Sequence, residues 1–222
     1  MAGDGVLAHT DSADVQRRWF GLYVNVASSP DALARLAGIL DGKVDVAGLK
    51  VSQELRWAII AHLNRYNHAG ADKLIALESA RDKSDAGQVA AVAATATRPD
   101  PKVKAEWVAK IEDLKSPLPF SRIRTAMVSV FPAEQGALSE ADADARLARL
   151  PAIDKAAGPV YMRAYAGTMI PTACTPHSVQ RLSRAADGMK DLSAFTRRSL
   201  LDTLQSEQRC VAIKAAMTAP KG

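Results

Sequence analysis

The stretch from residue 50 to residue 107 constrains the fold most, because helix-start signals recur along it and no strand pattern interrupts them. Ser52 and Ser84 are good N-cap residues, and Asp100 followed by Pro101 is an N-cap with proline at the first helical position. After the first cap, apolar residues recur at helical spacing: Leu55, Ile59, Leu63 and Tyr66. The stretch therefore predicts a series of helices joined by short turns.

Apolar positions in the next three helices of this stretch predict which side of each is buried. A helix over residues 72–81 is expected to turn Leu74 and Leu77 inward. The alanine-rich helix after Ser84 carries a narrow stripe of small residues, and the helix after Pro101 carries a stripe of larger ones. These two stripes are Val89, Val92, Ala93 and Ala96, and then Val103, Trp107, Ile111 and Leu114.

Similar patterns occupy the rest of the chain. Asp11 or Ser12 caps a first helix, which carries Val15, Trp19, Leu22 and Val26. The clearest break is 116–119, where two closely spaced prolines forbid a helix. A later helix over 139–150 is expected to bury three alanines: Ala141, Ala145 and Ala148.

About eleven or twelve helices with short connections predict an all-α fold. A succession of helix pairs joined by short turns is typical of a HEAT- or armadillo-like superhelix of antiparallel helix pairs. We expect residues 1–10 to be a flexible leader, 11–217 to form a single domain with a possible sub-boundary at 116–119, and 218–222 to be a tail.

Composition narrows the class of protein. Hydrophobic residues make up 48% of the chain and aromatic residues only 5%, which favours close-packed helices over a β-sandwich. No run of 18 apolar residues exists, so no membrane span is expected. The first ten residues lack the basic start and apolar core of a signal peptide, and the expected location is the cytoplasm.

Cys174 and Cys210 are the only cysteines. They lie on separate predicted helices without metal-type neighbours, so we expect two buried or half-buried free thiols in a reducing compartment. A disulfide between them stays open as the alternative.

Several short motifs in the central stretch resemble one family, the aminopeptidase N group of zinc metallopeptidases, in its all-helical C-terminal domain. The motifs occur in the family's order at compatible spacing. They are Glu54-Leu55-Arg56-Trp57-Ala58, Ala80-Arg81-Asp82, Arg98-Pro99 and Lys102-Val103-Lys104-Ala105-Glu106-Trp107. The resemblance extends from about residue 11 to residue 217 and is strongest from 50 to 110. It identifies a domain and not a chemistry, because none of these is an active-site motif.

The resemblance implies a parent enzyme that removes N-terminal amino acids from peptides with a zinc-activated water. The zinc site of that family needs H-E-x-x-H, and no two of the four histidines here, His9, His62, His68 and His177, have that spacing. Each is expected at a surface or a helix end. We therefore expect no catalytic residue, metal ligand or cofactor in this chain, with zinc held elsewhere in the parent.

By resemblance, the domain closes the chamber above the zinc and gates peptide access, and its partners are the catalytic domain of the same polypeptide and peptide substrates. A peptide carboxylate would suit an arginine. The candidate substrate-channel residues are Arg122, Arg124, Arg163, Arg181 and Arg184, with Arg197 and Arg198 as further arginines of the same kind. Self-association is a further expectation, because an excised domain exposes apolar interface.

Two other functions are consistent with the residues. One is a stand-alone helical-repeat scaffold that binds a protein or peptide. The other is a basic helical-repeat nucleic-acid binder, suggested by the net charge of +5. Positive and negative charges are interspersed over residues 106–115, and this pattern disfavours a nucleic-acid-binding function.

Overall fold

The structure is a computed structural model, and it describes residues 12–218. Every regular element in that range is helical, which confirms the predicted all-α class. The chain divides between Val103 and Lys104 into two compact units, here called unit 1 and unit 2. The superhelical arrangement and the single-domain boundaries stay predictions.

Unit 1 is built around one central helix. Its helices are α1 (Ala13–Val26), α2 (Pro30–Leu40), α3 (Gln53–Arg65), α4 (Ala71–Arg81) and α5 (Asp85–Ala96). The central helix α3 packs against the other four. Ser52 and Ser84 cap helices as predicted, and Ser29 does so as well, since each accepts a hydrogen bond from a backbone N–H of the first turn. The core is fully buried at Phe20, Leu36, Ile59, Ile60 and Leu63.

Unit 2 contains the remaining helices. They are α6 (Pro101–Glu112), in which the division between the units falls, α7 (Phe120–Ser129), α8 (Gly136–Ala141), α9 (Ala143–Ala156), α10 (Pro159–Thr168), α11 (Pro176–Gly188) and α12 (Ala194–Thr218). A 3-10 turn, Ala133–Gln135, precedes α8. Helix α12 packs against α10 and α11, and α10 also packs against α7. Thr175 and Ser178 form a capping box at the start of α11.

Three predicted faces differ from the structure. The stripe on α1 is exposed, and the buried side of that helix carries Gln16, Phe20 and Val24. Leu77 of α4 is 66% exposed, while Glu78 beside it is buried. Ala141, Ala145 and Ala148 are exposed, because alanine buries little apolar area and the larger Leu147, Leu150 and Ile153 determine the inner face of α9.

One further prediction is wrong, and one residue is more buried than its position suggests. His62, expected at a surface or a helix end, lies in the last turn of α3, but it is only 6% exposed, with its Nε2 2.5 Å from the carbonyl oxygen of Ala27. Leu114, expected on the buried side of α6, is 40% exposed and lies beyond the end of that helix. Local periodicity could not show either result, because the partner of His62 is distant in sequence and the helix ends at Glu112.

The cysteine prediction is also wrong. Cys174 and Cys210 form a disulfide with a Cα–Cα distance of 5.4 Å. Close beside it, the carboxylate of Glu207 accepts hydrogen bonds from the backbone N–H groups of Ala173 and Cys174, at 3.0 and 2.8 Å. The disulfide and Glu207 together hold the segment before α11 against α12.

Candidate functional site

Unit 2 has a cleft of about 390 Å³ where the end of α9, the start of α10 and the start of α12 come together. We call it the Arg163 cleft. It is lined by Asp154, Ala157, Pro159, Met162, Arg163, Ser193 and Phe195. The cleft exists because α9 ends at Ala156 and the chain turns through Gly158 before Pro159 starts α10.

The floor and one wall of the Arg163 cleft are apolar. Met162 is 4% exposed and Phe195 is 44% exposed, so the cleft offers a methionine floor beside an accessible aromatic ring. Such surfaces accept apolar side chains of varied shape.

Asp154 anchors the third side of the cleft. Its carboxylate accepts hydrogen bonds from the Ser193 backbone N–H at 2.6 Å, from Ser193 Oγ at 2.8 Å and from Thr196 Oγ1. Burial raises the pKa of Asp154, but the hydrogen bonds from Thr196 and Ser193 outweigh it and leave the pKa below its ordinary value. Because these bonds fix the start of α12, Asp154 shapes the cleft.

Arg163 is the charged group available at the rim. It is exposed, and within the described range its guanidinium has no hydrogen bond or ion pair with another side chain. A guanidinium presents a planar fork of donors that suits a carboxylate or phosphate. The cleft can therefore hold an anion beside an apolar group.

The other predicted substrate-channel arginines do not line this cleft. Arg181 is 5% exposed and its guanidinium is bonded to Glu140, at 2.7 Å, and to Asp144, at 2.9 Å. The hydrogen bond with Glu140 raises the pKa of Arg181. Arg122 is half-buried, and Arg124 and Arg184 are exposed at other places on unit 2. The structure thus brings only Arg163 of the five into the cleft.

The remaining two arginines have local contacts. Arg197 donates to the Met189 carbonyl oxygen at 3.3 Å. Arg198 lies 3.8 Å from Asp202 on the exposed side of α12. Both are parts of the helix surface and lie outside the Arg163 cleft.

Sequence reasoning missed Asp154, Met162 and Phe195. Asp154 and Ser193 are 39 residues apart, and no spacing rule links them. Phe195 lies near the start of a helix, and an aromatic residue in a helix is usually core. The only usable signal was Ser193 as a helix cap, which does not reveal the carboxylate that bonds to it.

Unit 1 has a second concavity, a groove of about 400 Å³ between α3 and α5. We call it the alanine groove, and its apolar lining includes Ala58, Ala61, Ala86, Ala90 and Ala93. Trp57 and Asp82 stand at one side. Trp57 Nε1 donates to Asp82 Oδ2 at 2.9 Å, and Ser84 donates to Asp82 Oδ1 through both its Oγ and its backbone N–H.

Two of the motifs that carry the resemblance, at residues 54–58 and 80–82, therefore hold helices of unit 1 together. Hydrogen bonds from Ser84 and Trp57 hold the pKa of Asp82 below its ordinary value, so this carboxylate is charged and satisfied. Gly87 is required beside it, because a Cβ there would lie 2.4 Å from the Asp82 carboxylate. Arg56 makes two hydrogen bonds to Glu78, and these residues hold α3 to α4.

A buried polar cluster in unit 2 surrounds Arg146, whose Nε lies 3.6 Å from Asp142 and has no hydrogen-bond partner in the part of the chain that the structure describes. Arg146 donates to the carbonyl oxygens of Met169 and Ser139 and stacks over Phe131 with its guanidinium carbon 4.0 Å from the ring centre. Burial lowers the pKa of Arg146 to about 10. Tyr165 donates to Glu112 at 2.9 Å, and burial raises its pKa. These groups face one another and hold unit 2 together.

The residues that the structure describes do not fit a zinc site. Within residues 12–218 no group of three His, Cys, Asp or Glu side chains could hold a metal ion. Both cysteines are used in the disulfide. Nor is any helix of this range long and apolar enough to cross a bilayer.

Comparison with known families and proteins gives two matches. Residues 4–209 match the family model described as ERAP1-like C-terminal domain. The chain is also similar to an aminopeptidase N of Streptomyces lividans, with 35% identity over 133 residues. That alignment covers 58% of this chain and 15% of the relative, so the greater part of the relative lies outside it.

Proposed function

We propose that this chain, which belongs to the ERAP1-like C-terminal domain family and is a C-terminal domain of an aminopeptidase N-like enzyme, caps the enzyme's active-site chamber and gates peptide entry. The zinc and the residues that activate water would come from the catalytic domain of the same polypeptide. This chain would contribute the surface that receives the far end of the substrate.

The observation that carries the proposal is the free guanidinium of Arg163 beside an apolar floor and wall. The end of a peptide bears one carboxylate and one side chain, so a cation next to Met162 and Phe195 matches both of its features. Arg181 is left out of this role, because Glu140 and Asp144 already use its donors.

Asp154 adds selectivity to the same cleft. Its negative charge disfavours a second carboxylate close to Ser193, although its own oxygens are already accepting hydrogen bonds. A peptide that ends in an apolar residue would therefore bind better than one that ends in aspartate or glutamate.

The test is a chimera in which this chain replaces the matching segment of the Streptomyces lividans aminopeptidase N, with and without Arg163→Gln. For peptides of several residues, we expect Arg163→Gln to raise KM about tenfold, the loss of one charged hydrogen bond. Short chromogenic aminoacyl substrates should show no change, because they do not reach the cleft. In the chimera that keeps Arg163, amidation of the peptide C-terminus should raise KM by the same factor as the substitution does. In the Arg163→Gln variant, amidation should have no further effect.

Arg184→Gln is the matched control, since it removes an exposed arginine of unit 2 that does not line the cleft. Equal KM changes in the two variants would contradict the role of Arg163. If the preference for short or long substrates is the same in the chimera and in every variant, the result would contradict the gating function itself.

A further inference from the structure

Helix α1 presents a row of apolar side chains to the solvent. Val15, Trp19, Leu22 and Val26 are 43%, 45%, 49% and 63% exposed. We call this row the α1 outer stripe. Their spacing of four, three and four residues places them within about 60° of one another around the helix axis.

The same helix buries a different side in unit 1. Phe20 and Val24 are 0% and 3% exposed, and Gln16 on that side donates to the Ala47 carbonyl oxygen at 2.6 Å. A helix at a protein surface normally opposes its buried side with polar residues. Because α1 is apolar on two sides, unit 1 supplies only one of the two partners that it needs.

A row of this kind differs from the single apolar residues found on any surface. Its members are contiguous, and one of them is a tryptophan, the residue type most enriched where protein interfaces are energetically strong. By contrast, Trp57 and Trp107 are 5% and 7% exposed. Trp19 is therefore the tryptophan that unit 1 leaves for a partner.

We infer that the α1 outer stripe is an interface that is covered by the part of the aminopeptidase polypeptide lying outside this domain. This inference rests on the proposed function. The family is a C-terminal domain, and the aligned segment is 15% of the Streptomyces lividans relative, so a large body of protein is present to cover it.

Charge on α1 specifies the partner further. Arg17 is paired with Asp14 at 2.9 Å. Arg18, which flanks the stripe between Val15 and Leu22, has no ion pair or hydrogen bond with a side chain in the part of the chain that the structure describes. The covering surface should be apolar, with a carboxylate placed opposite Arg18.

A second copy of the chain fits this requirement poorly. Two α1 helices packed stripe to stripe would bring only Asp14 as an acidic residue, and Asp14 already pairs with Arg17. Two copies of Arg18 would then flank one contact without a free carboxylate to pair with them, which opposes association.

The test is radical footprinting with mass spectrometry on this chain alone and in the chimera described above. In the chimera we expect modification of Trp19 to fall about fivefold, as for a side chain moved from a surface to an interface core. Leu77, 66% exposed on α4, is the internal reference whose modification should not change.

Leu22→Asp should restore modification of Trp19 in the chimera and make its aminopeptidase activity decay about tenfold faster on warming. Leu77→Asp, the matched exposed leucine of unit 1, should do neither. Circular dichroism of the isolated variants should be unchanged, because both leucines are outside the core. Equal behaviour of the two variants would overturn the inference.

Two other results would also overturn it. An active, length-selective chimera with fully modified Trp19 would disprove the interface and leave the proposed function standing, whereas a chimera without length selectivity would contradict the proposed function whatever happens at Trp19. Protection of Trp19 in the isolated chain, with sedimentation as a dimer, would assign the stripe to a second copy.

Discussion

Arg56 and Glu78 form an ion pair inside unit 1. Two hydrogen bonds join them, at 2.9 and 2.7 Å, and Gln53 donates a third to the same carboxylate at 2.7 Å. The side chains of Arg56 and Glu78 are 19% and 3% exposed. The hydrogen bonds from Arg56 lead the causes that hold the pKa of Glu78 below its ordinary value.

We expect Glu78→Gln to lower the free energy of unfolding of unit 1 by about 2 kcal/mol, because Arg56 keeps a charge without its counterion in a poorly solvated place. Urea unfolding followed by fluorescence and circular dichroism measures this change. Lys43→Gln is the control, since the Lys43–Asp41 pair is exposed at 79% and 46% and should contribute about 0.5 kcal/mol or less. Equal losses in the two variants would contradict the importance of burial.

Residues of this kind show what sequence could and could not reveal. Arg56, Trp57 and Asp82 stood out as a family pattern, but their structural purpose appears only when α3, α4 and the start of α5 are placed together. The burial of His62 could not be predicted for the same reason. Its partner, the carbonyl of Ala27, is 35 residues away, and a single imidazole in a helix carries no mark of burial.

At the scale of the helix, the residues at which helices begin were predictable, and the faces that become buried were less so. Capping is local, and Ser52, Ser84 and Thr175 each make the bond that their position predicts. The choice of buried face depends on which neighbours exist. For α1, with apolar residues on two sides, periodicity could not distinguish the side that unit 1 covers from the side it leaves exposed.

The disulfide leads to a prediction about the stability of unit 2. Cys174 and Cys210 are separated by 36 residues, and closing a loop of that length is expected to stabilise unit 2 by about 4 kcal/mol. Reduction of the disulfide should lower the free energy of unfolding of unit 2 by about 4 kcal/mol. The double substitution Cys174→Ser and Cys210→Ser should have the same effect.

Thiol titration of the denatured protein should find no free thiol before reduction and both cysteines after it. Reductant should have no effect on the double variant, which controls for other actions of the reagent. Reactive thiols in the unreduced protein would contradict the bond and restore the expectation of two free cysteines.

At the scale of the whole molecule, acid should destabilise both units. Burial lowers the pKa of His62 from an ordinary value of 6.5. Hydrogen bonds from Arg181 lower the pKa of Glu140 from its ordinary value of 4.5. Hydrogen bonds from Arg56 lower the pKa of Glu78 from the same ordinary value. In each case the unfolded chain binds the proton more tightly, so stability is complete above the ordinary pKa and is lost as the pH falls.

The urea midpoint should therefore be steady above about pH 7, begin to fall near pH 6.5 through His62, and fall more steeply below about pH 4.5 through the carboxylates. His62→Gln should remove the upper part of this decline and leave the lower part. His68→Gln is the control, because it removes an imidazole of unit 1 outside the core. A decline between pH 7 and about pH 5 that persists in His62→Gln would contradict the assignment.

The Cys174–Cys210 pair also has a consequence for how the protein is made. Synthesis produces Cys174 first, and its partner follows only after α11 and most of the last helix, 36 residues later. Until then Cys174 is an unpaired thiol, and Glu207, which holds the neighbouring backbone, has also not yet been made. A product truncated before residue 207 would lack both and keep a lone cysteine free to join another chain. Correct maturation of unit 2 therefore depends on completing its last helix.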